Sequence, residues 1–423
     1  MMPADSIPMP PASILREDLR VTTERIAHEL AWPSTEAPDW NDIQWRVAMA
    51  VAVMHGVSAL LAGRLRWRGP QTWTTFLAQQ GAQGILRQSR TQQLLAEIDG
   101  AARDAGIPLV ALKGSALLDL NLYAPGERPM SDIDLLCTPQ DFEATGRVIE
   151  SLGYVARVTN WRHREYQPAD TGQDRAFGEH IANPVKIELH PRIVERLPLR
   201  DVDVTAQIFP TPARVGLNPY PAAAALMRHL LLHAAGSICG KFIRLIHLHD
   251  IASLANRMCA EDWGALMLPE EGAWWMLPPL AMVNRYFPDR IPPAFLDGAA
   301  GQCPTVLRWA ARRYRITEVS PSRLETPMLP GWEWSRSTAE AIGWAFKRLY
   351  PGRNAVALVQ KMAFDNHALA TMGWAQLSRW KKGMRILSGR APRAATMYSV
   401  RRALDYTPPA VRAPYSASTR VKV

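Results

Sequence analysis

Residues 108–138 read PLVALKGSALLDLNLYAPGERPMSDIDLLCT, and residues 185–190 read VKIELH. Pro108–Leu112 follows Ala105-Gly106 and is short and apolar, which predicts a buried strand. Lys113-Gly114-Ser115 predicts a tight turn into a helix that begins near Ala116 and carries Leu117, Leu118, Leu120 and Leu122. Asp132-Ile133-Asp134-Leu135-Leu136 alternates acidic and apolar before becoming fully apolar, the pattern of a strand that starts at the mouth of a sheet. A period of two sets Asp132 and Asp134 on one face and Ile133 and Leu135 on the other. Val185–His190 alternates in the same way, so Lys186, Glu188 and His190 share a face.

Two carboxylates on one strand face repel unless a proton or a cation sits between them. Hard oxygen ligands left partly open suit Mg²⁺ that bridges to substrate phosphates. Glu188 on a neighbouring strand completes a site for two Mg²⁺ ions and is placed to orient or deprotonate an attacking hydroxyl. The Gly114-Ser115 turn, opening a helix, is the expected cradle for a triphosphate. Lys113 is expected to neutralise charge developing on the leaving pyrophosphate. Arg128, four positions before Asp132, is expected to hold phosphate oxygens or the carboxylates themselves. The chemistry expected is in-line attack on the α-phosphate of a nucleoside triphosphate, ATP first, with pyrophosphate leaving. Two alternatives stand beside it. Glu179 is a rival third acid, and an Asp-x-Asp triplet also marks Mn²⁺-dependent glycosyltransferases.

This order of residues resembles the DNA polymerase β-like nucleotidyltransferase superfamily, whose signature is a Gly-Ser turn, an Asp-x-Asp pair and a later acid in a strand. More narrowly, Leu112–Ser115, Tyr123, Arg128–Leu136, Leu152–Tyr154 and Glu188–His190 look like the bacterial uncharacterised nucleotidyltransferase family. The resemblance covers roughly Trp45 to Asn256. It implies an α+β fold, a small mixed sheet forming a nucleotidyltransferase core with mostly helical flanks, and Asp132, Asp134 and Glu188 as metal ligands. It leaves the hydroxyl-bearing acceptor open: a small molecule, sugar, peptide or protein.

A chain of 423 residues, 48% hydrophobic and 21% charged, is long enough for two or three ordered domains. The expected division is a Pro-rich segment 1–39 with one helix from Ser13 to Leu30, a lead-in 40–105 of three helices, the core 106–215, a helical region 216–378 and a tail 379–423. Four cysteines without a Cys-x-x-Cys pair suggest neither a disulfide framework nor a zinc ribbon and suit a reducing cytoplasm. Met1–Ile14 lacks the order of a secretion signal. Val47–Gly63 is the most apolar window, read as a buried core helix interrupted by His55-Gly56, not as a transmembrane segment.

From Arg379 onward eleven Lys or Arg face the single acid Asp405, which accounts for the whole formal charge of +10 and leaves the first 378 residues balanced. Any contact with RNA therefore rests on this tail, read as a mobile extension. The RNA-directed transferase is one alternative, and a nucleotide-binding scaffold without catalysis is another. Thr138-Pro139-Gln140-Asp141 predicts a helix start, and Gly178–Ala182 with Val185–His190 predicts a hairpin around Asn183-Pro184. Helices over 221–235 and 241–256 carry His229, His233, His247, His249 and Asp250, where packing or substrate contact is favoured over metal binding. The tryptophans of residues 262–377 are read as core.

Overall fold

The computed structural model describes residues 7–170, 175–267, 272–349, 378, 380–381, 384–385, 388 and 391–408. Four helices lead in: α1 (Ala12–Ala31), α2 (Asp42–Met54), α3 (Ser58–Arg64) and α4 (Gln71–Asp104). The core follows as β1 (Pro108–Ala111), α5 (Gly114–Asp119), β2 (Asp132–Leu136), α6 (Phe142–Ser151), β3 (Tyr154–Thr159), β4 (Arg164–Pro168), β5 (Lys186–His190), β6 (Val194–Arg196), β7 (Asp201–Asp203), α7 (Thr205–Ile208) and β8 (Gly216–Asn218). Helices α8 (Ala223–Gly240), α9 (Leu245–Ala255), α10 (Ala260–Leu266), α11 (Leu277–Tyr286), α12 (Pro293–Gln302), α13 (Thr305–Ala311), α14 (Ile316–Val319), α15 (Thr338–Leu349) and α16 (Ala394–Leu404) follow among the described residues. The class is α+β.

The central sheet has the order β3-β4-β5-β2-β1-β8 and is mixed. β2 and β5 run parallel, with Asp134 opposite Glu188 and Leu136 opposite His190, while β1 runs antiparallel to β2 and parallel to β8. Alternation decides which side chains go where. Ile133, Leu135, Ile187 and Leu189 lie in a core cluster with Leu94, Ile98 and Ala102 of α4 and Ile149 of α6. The opposite face carries Asp132, Asp134, Glu188 and His190. A one-residue slip of β5 would bury Glu188 among leucines, so the apolar face fixes the register that aligns the acids.

Four local expectations need correction. The 47–63 window is two helices bent by 111° at His55-Gly56, where Gly56 takes φ +67. The His55 ring accepts the Leu245 N–H at 3.0 Å and caps α9, so the break serves a helix elsewhere. Among the described residues no single helix is long and apolar enough to cross a membrane, although α2 with α3 reaches that length as a bent pair. Helix α6 starts at Phe142, because Thr138 closes a turn on Asp141 first: Asp141 N–H donates to Thr138 Oγ1 at 3.2 Å. The hairpin partner of β5 is β4, not Gly178–Ala182, which forms no strand; Glu179 N–H and Ile181 N–H instead donate to Gln80 and Gln83 of α4.

The last correction concerns the tail. Ala394–Leu404 is a helix packed on α2, with Val400 and Leu404 buried, each contributing about 1.5–3 kcal/mol. Arg46 Nη1 donates to the carbonyls of Ala403, Leu404 and Tyr406 at 3.2, 2.9 and 2.8 Å. Residues 409–423 lie outside the described ones. Trp274, Trp275 and Trp334 are buried as core, whereas Trp332 is exposed.

Candidate active site

The front face of β2 and β5 meets a wall made by α8 and α9, and the expected carboxylates sit between them. Lys113 occupies the turn after β1 with φ 49 and ψ −114, a conformation that is costly for a residue with a Cβ. Its N–H donates to the Tyr220 hydroxyl at 3.2 Å, and that hydroxyl is hydrogen-bonded to His229 Nδ1 at 2.7 Å. This backbone turn carries Nζ of Lys113 to 2.9 Å from Asp134 Oδ1. Burial would lower the ammonium, but Asp134 and Glu188 outweigh it and raise it. Burial would raise the Asp134 carboxyl, yet Lys113 and His190, whose Nε2 lies 3.1 Å away, hold it well below the usual carboxylate range.

Glu188 has the opposite fate. Burial, together with Asp134 and Asp132, pushes its carboxyl up to about 8. His190 Nε2 stands 3.8 Å and His163 Nδ1 3.5 Å from its Oε2. His163 comes from the β3–β4 turn and is fixed by Asn160. The Asn160 Oδ1 accepts the N–H groups of Arg162 and His163 at 2.8 and 3.1 Å, which turns its amide Nδ2 to His163 Nε2 at 3.2 Å. Nε2 is thus the acceptor, and the hydrogen of the neutral ring sits on Nδ1, aimed at Glu188. Burial and the neighbouring His190 keep His163 neutral, lowered to about 3.

The donor set suits a hard divalent cation. Asp132 and Asp134 lie on one strand face, Glu188 is directly across from Asp134, and a positive group, Lys113, already pairs with Asp134. His163 Nδ1 is buried and makes no hydrogen bond at its 3.5 Å distance from Glu188 Oε2, and it would ligate an ion only with the ring hydrogen moved to Nε2. Among the described residues the His163, Glu188 and His190 ligand atoms form a group with metal-binding spacing, all within 4.8 Å of one another.

Gly114 is required by proximity and not by its φ: a Cβ there would lie 2.5 Å from Met130 Sδ. Ser115 is buried, and its N–H donates to Leu112 O at 3.1 Å, so the turn offers fewer open N–H groups than its sequence suggests. Arg128 grips Asp250 of α9 with Nε at 2.9 Å and Nη2 at 2.8 Å. Glu179 pairs with the buried Arg87 at 2.9 Å. The α8–α9 histidines form no metal cluster among the described residues: His249 Nδ1 meets the Tyr123 hydroxyl at 2.9 Å, and the His233 and His247 rings pack edge to face at 4.8 Å. His163, Glu165, Arg162 and Arg244 were not singled out from sequence. Only the alternation of Glu165 with Tyr166 in β4 offered a signal.

A family model described as uncharacterised nucleotidyltransferase matches residues 41–271, more than half the chain. The chain belongs to this nucleotidyltransferase family. No curated protein and no solved structure matches it. The match spans the lead-in from α2, the whole sheet and the α8–α9 wall, so the nucleotidyltransferase family region contains every residue of the cleft described above. It stops short of α16, which packs on α2 from outside it.

Proposed function

We propose that the protein transfers a nucleoside monophosphate from a nucleoside triphosphate, ATP first, onto a hydroxyl of a small molecule, sugar, peptide or protein, with Mg²⁺. The observation that carries this reading is the convergence of Asp132, Asp134 and Glu188 on one sheet face beside Lys113. Asp132, Asp134 and Glu188 hold the metal, which when bound neutralises charge on the triphosphate and sets its geometry. Lys113, Gly114 and Ser115 receive the β- and γ-phosphates, and Arg128 adds positive field from its Asp250 pair. Glu188 orients the acceptor hydroxyl and takes its proton, with the neutral His163 ring and His190 at 3.5 and 3.8 Å from its Oε2. The acceptor oxygen forms a bond to the α-phosphorus, the bond from that phosphorus to the β-bridging oxygen breaks, and pyrophosphate leaves with the electron pair.

Transfer onto RNA loses support, because three arginines of the expected free tail are engaged. Arg393 donates to Lys241 O at 2.7 Å, Arg401 to Ile7 O at 2.9 Å and Arg402 to Arg175 O at 2.9 Å. The reading sets the reaction in a reducing cytoplasm. The test is to incubate the full chain with Mg²⁺, labelled nucleoside triphosphates and a metabolite or lysate pool, and to identify the adduct by mass. Asp134→Asn is expected to remove transfer while leaving the fold intact; near wild-type transfer by that variant would place the chemistry elsewhere. ATP binding without pyrophosphate release across a broad acceptor panel would leave the non-catalytic scaffold as the answer.

A further inference from the structure

The cations around the cleft differ in one respect. Lys113 has Asp134 at 2.9 Å, Arg128 has Asp250 at 2.8 Å, Arg87 has Glu179 at 2.9 Å, and Arg162 is paired with Glu195. Arg244, the residue preceding the first turn of α9, has no carboxylate within ion-pairing distance among the described residues. Its Nε and Nη2 face only His247 Nε2, at 3.3 and 3.1 Å. His247 is neutral, held well below its ordinary value by burial and by Arg244 itself, so it orients the guanidinium without cancelling its charge. A guanidinium removed from water without an anion is unfavourable, and proteins pair such groups.

Its surroundings say which anion belongs there. Arg244 is half-buried, and Asp132 is the foremost charge acting on it, followed by Arg128, Asp250 and Glu179. It directly precedes α9, the helix whose Asp250 holds Arg128, which sets it on the Arg128 side of the cleft. Arg128 links that region to the glycine turn, since a Cβ on Gly114 would lie 3.5 Å from Arg128 Nη2. A phosphate chain that starts at the Asp132–Asp134 pair and passes the Gly114 turn is thus flanked by Arg128 and Arg244. Arg128 has its Nε–Nη2 edge on Asp250 and donates from Nη1 to Pro129 O at 3.2 Å, so both sides of its fork are engaged. Arg244 keeps a donor edge for a bidentate oxyanion, the geometry that favours Arg over Lys for phosphate.

We propose that Arg244, oriented by His247, binds the terminal phosphates of the nucleoside triphosphate. This rests on the nucleotidyl-transfer reading and names a residue of that site which the sequence did not single out. The assignment separates the nucleotide into two parts: Arg244 sees the phosphates that leave as pyrophosphate and does not touch the nucleoside monophosphate that is transferred.

The test is equilibrium binding of ATP, inorganic pyrophosphate and AMP to the full chain with Mg²⁺, for the wild type, Arg244→Gln and Arg244→Lys. Thermal melting accompanies each variant, and the lysine variant keeps the positive charge should the glutamine variant unfold. Arg244→Gln is expected to weaken ATP and pyrophosphate about 10- to 100-fold and to leave AMP within about two-fold, with Arg244→Lys between. Unchanged ATP and pyrophosphate affinity in Arg244→Gln, or in Arg244→Lys if the first does not fold, overturns the assignment. So does an equal loss for AMP, which would mean the side chain supports the pocket as a whole. A wild type that binds neither ATP nor pyrophosphate removes the nucleotide reading itself and this assignment with it.

Discussion

Glu188 gives a prediction that links electrostatics to metal binding. Burial and the nearby Asp134 and Asp132 charges push its carboxyl up to about 8, so the metal-free protein carries a proton there at neutral pH. A cation entering among the three carboxylates displaces that proton. At pH 7 a group titrating near 8 is roughly nine-tenths protonated, so Mg²⁺ binding releases about 0.9 proton per chain, falling to about 0.1 at pH 9. Isothermal titration in buffers of different ionisation enthalpy reads this number as a slope, and Glu188→Gln should bring it near zero. The same shift has a stability sign. The folded value lies above the ordinary 4.5, so the contribution is full below pH 4.5 and is lost as pH rises toward 8. The full shift corresponds to at most about 5 kcal/mol, and with 20% of the Glu188 side chain exposed, solvent screening reduces this to about 2–3 kcal/mol. Glu188→Gln should flatten denaturant midpoints across that range. Saturable Mg²⁺ binding at pH 7 with no buffer dependence in the wild type would refute the reasoning.

Arg128→Ala leaves the Asp250 carboxylate buried without its counter-charge, with the Tyr123 hydroxyl still donating to it, and is expected to destabilise by about 3–5 kcal/mol in urea unfolding, whereas Arg128→Met with Asp250→Leu recovers most of the loss. Gly114→Ala sets a Cβ against Met130 Sδ and should cost about 1–3 kcal/mol with a larger fall in transfer rate; Met130→Ala in the same chain should restore the stability by thermal melting. Val400→Asp places a charge under α16 and should release the segment 391–408 to trypsin at concentrations that leave the wild type intact.

The candidate site's placement was legible where chemistry and packing share a period. Asp132, Asp134 and Glu188 could be read together because the alternate residues Ile133, Leu135, Ile187 and Leu189 are apolar, and one burial pattern sets all three acids on a single face. β4 escaped notice for the inverse reason. Its Glu165 pairs with Lys186 at 2.8 Å on that front face, and only Tyr166 is fully buried, so the segment reads as a charged loop. α16 was hidden by composition: Thr396, Val400, Ala403 and Leu404 form a helical stripe, but the surrounding arginines suggest solvent. Arg244 and His163 depend on contacts between elements distant in sequence, and no local pattern announces such a contact.

The clasp of Arg46 on the carbonyls at the end of α16 ties the second helix to a segment some 360 residues later. During synthesis α2 must therefore wait with its outer flank bare until nearly the whole polypeptide has left the ribosome. A shortened chain cut at the family limits, 41–271, would keep every residue of the candidate site and lose both α1 and α16. Such a fragment would present greasy helix surface to its neighbours, and its fate in the test tube would be governed by clumping before chemistry.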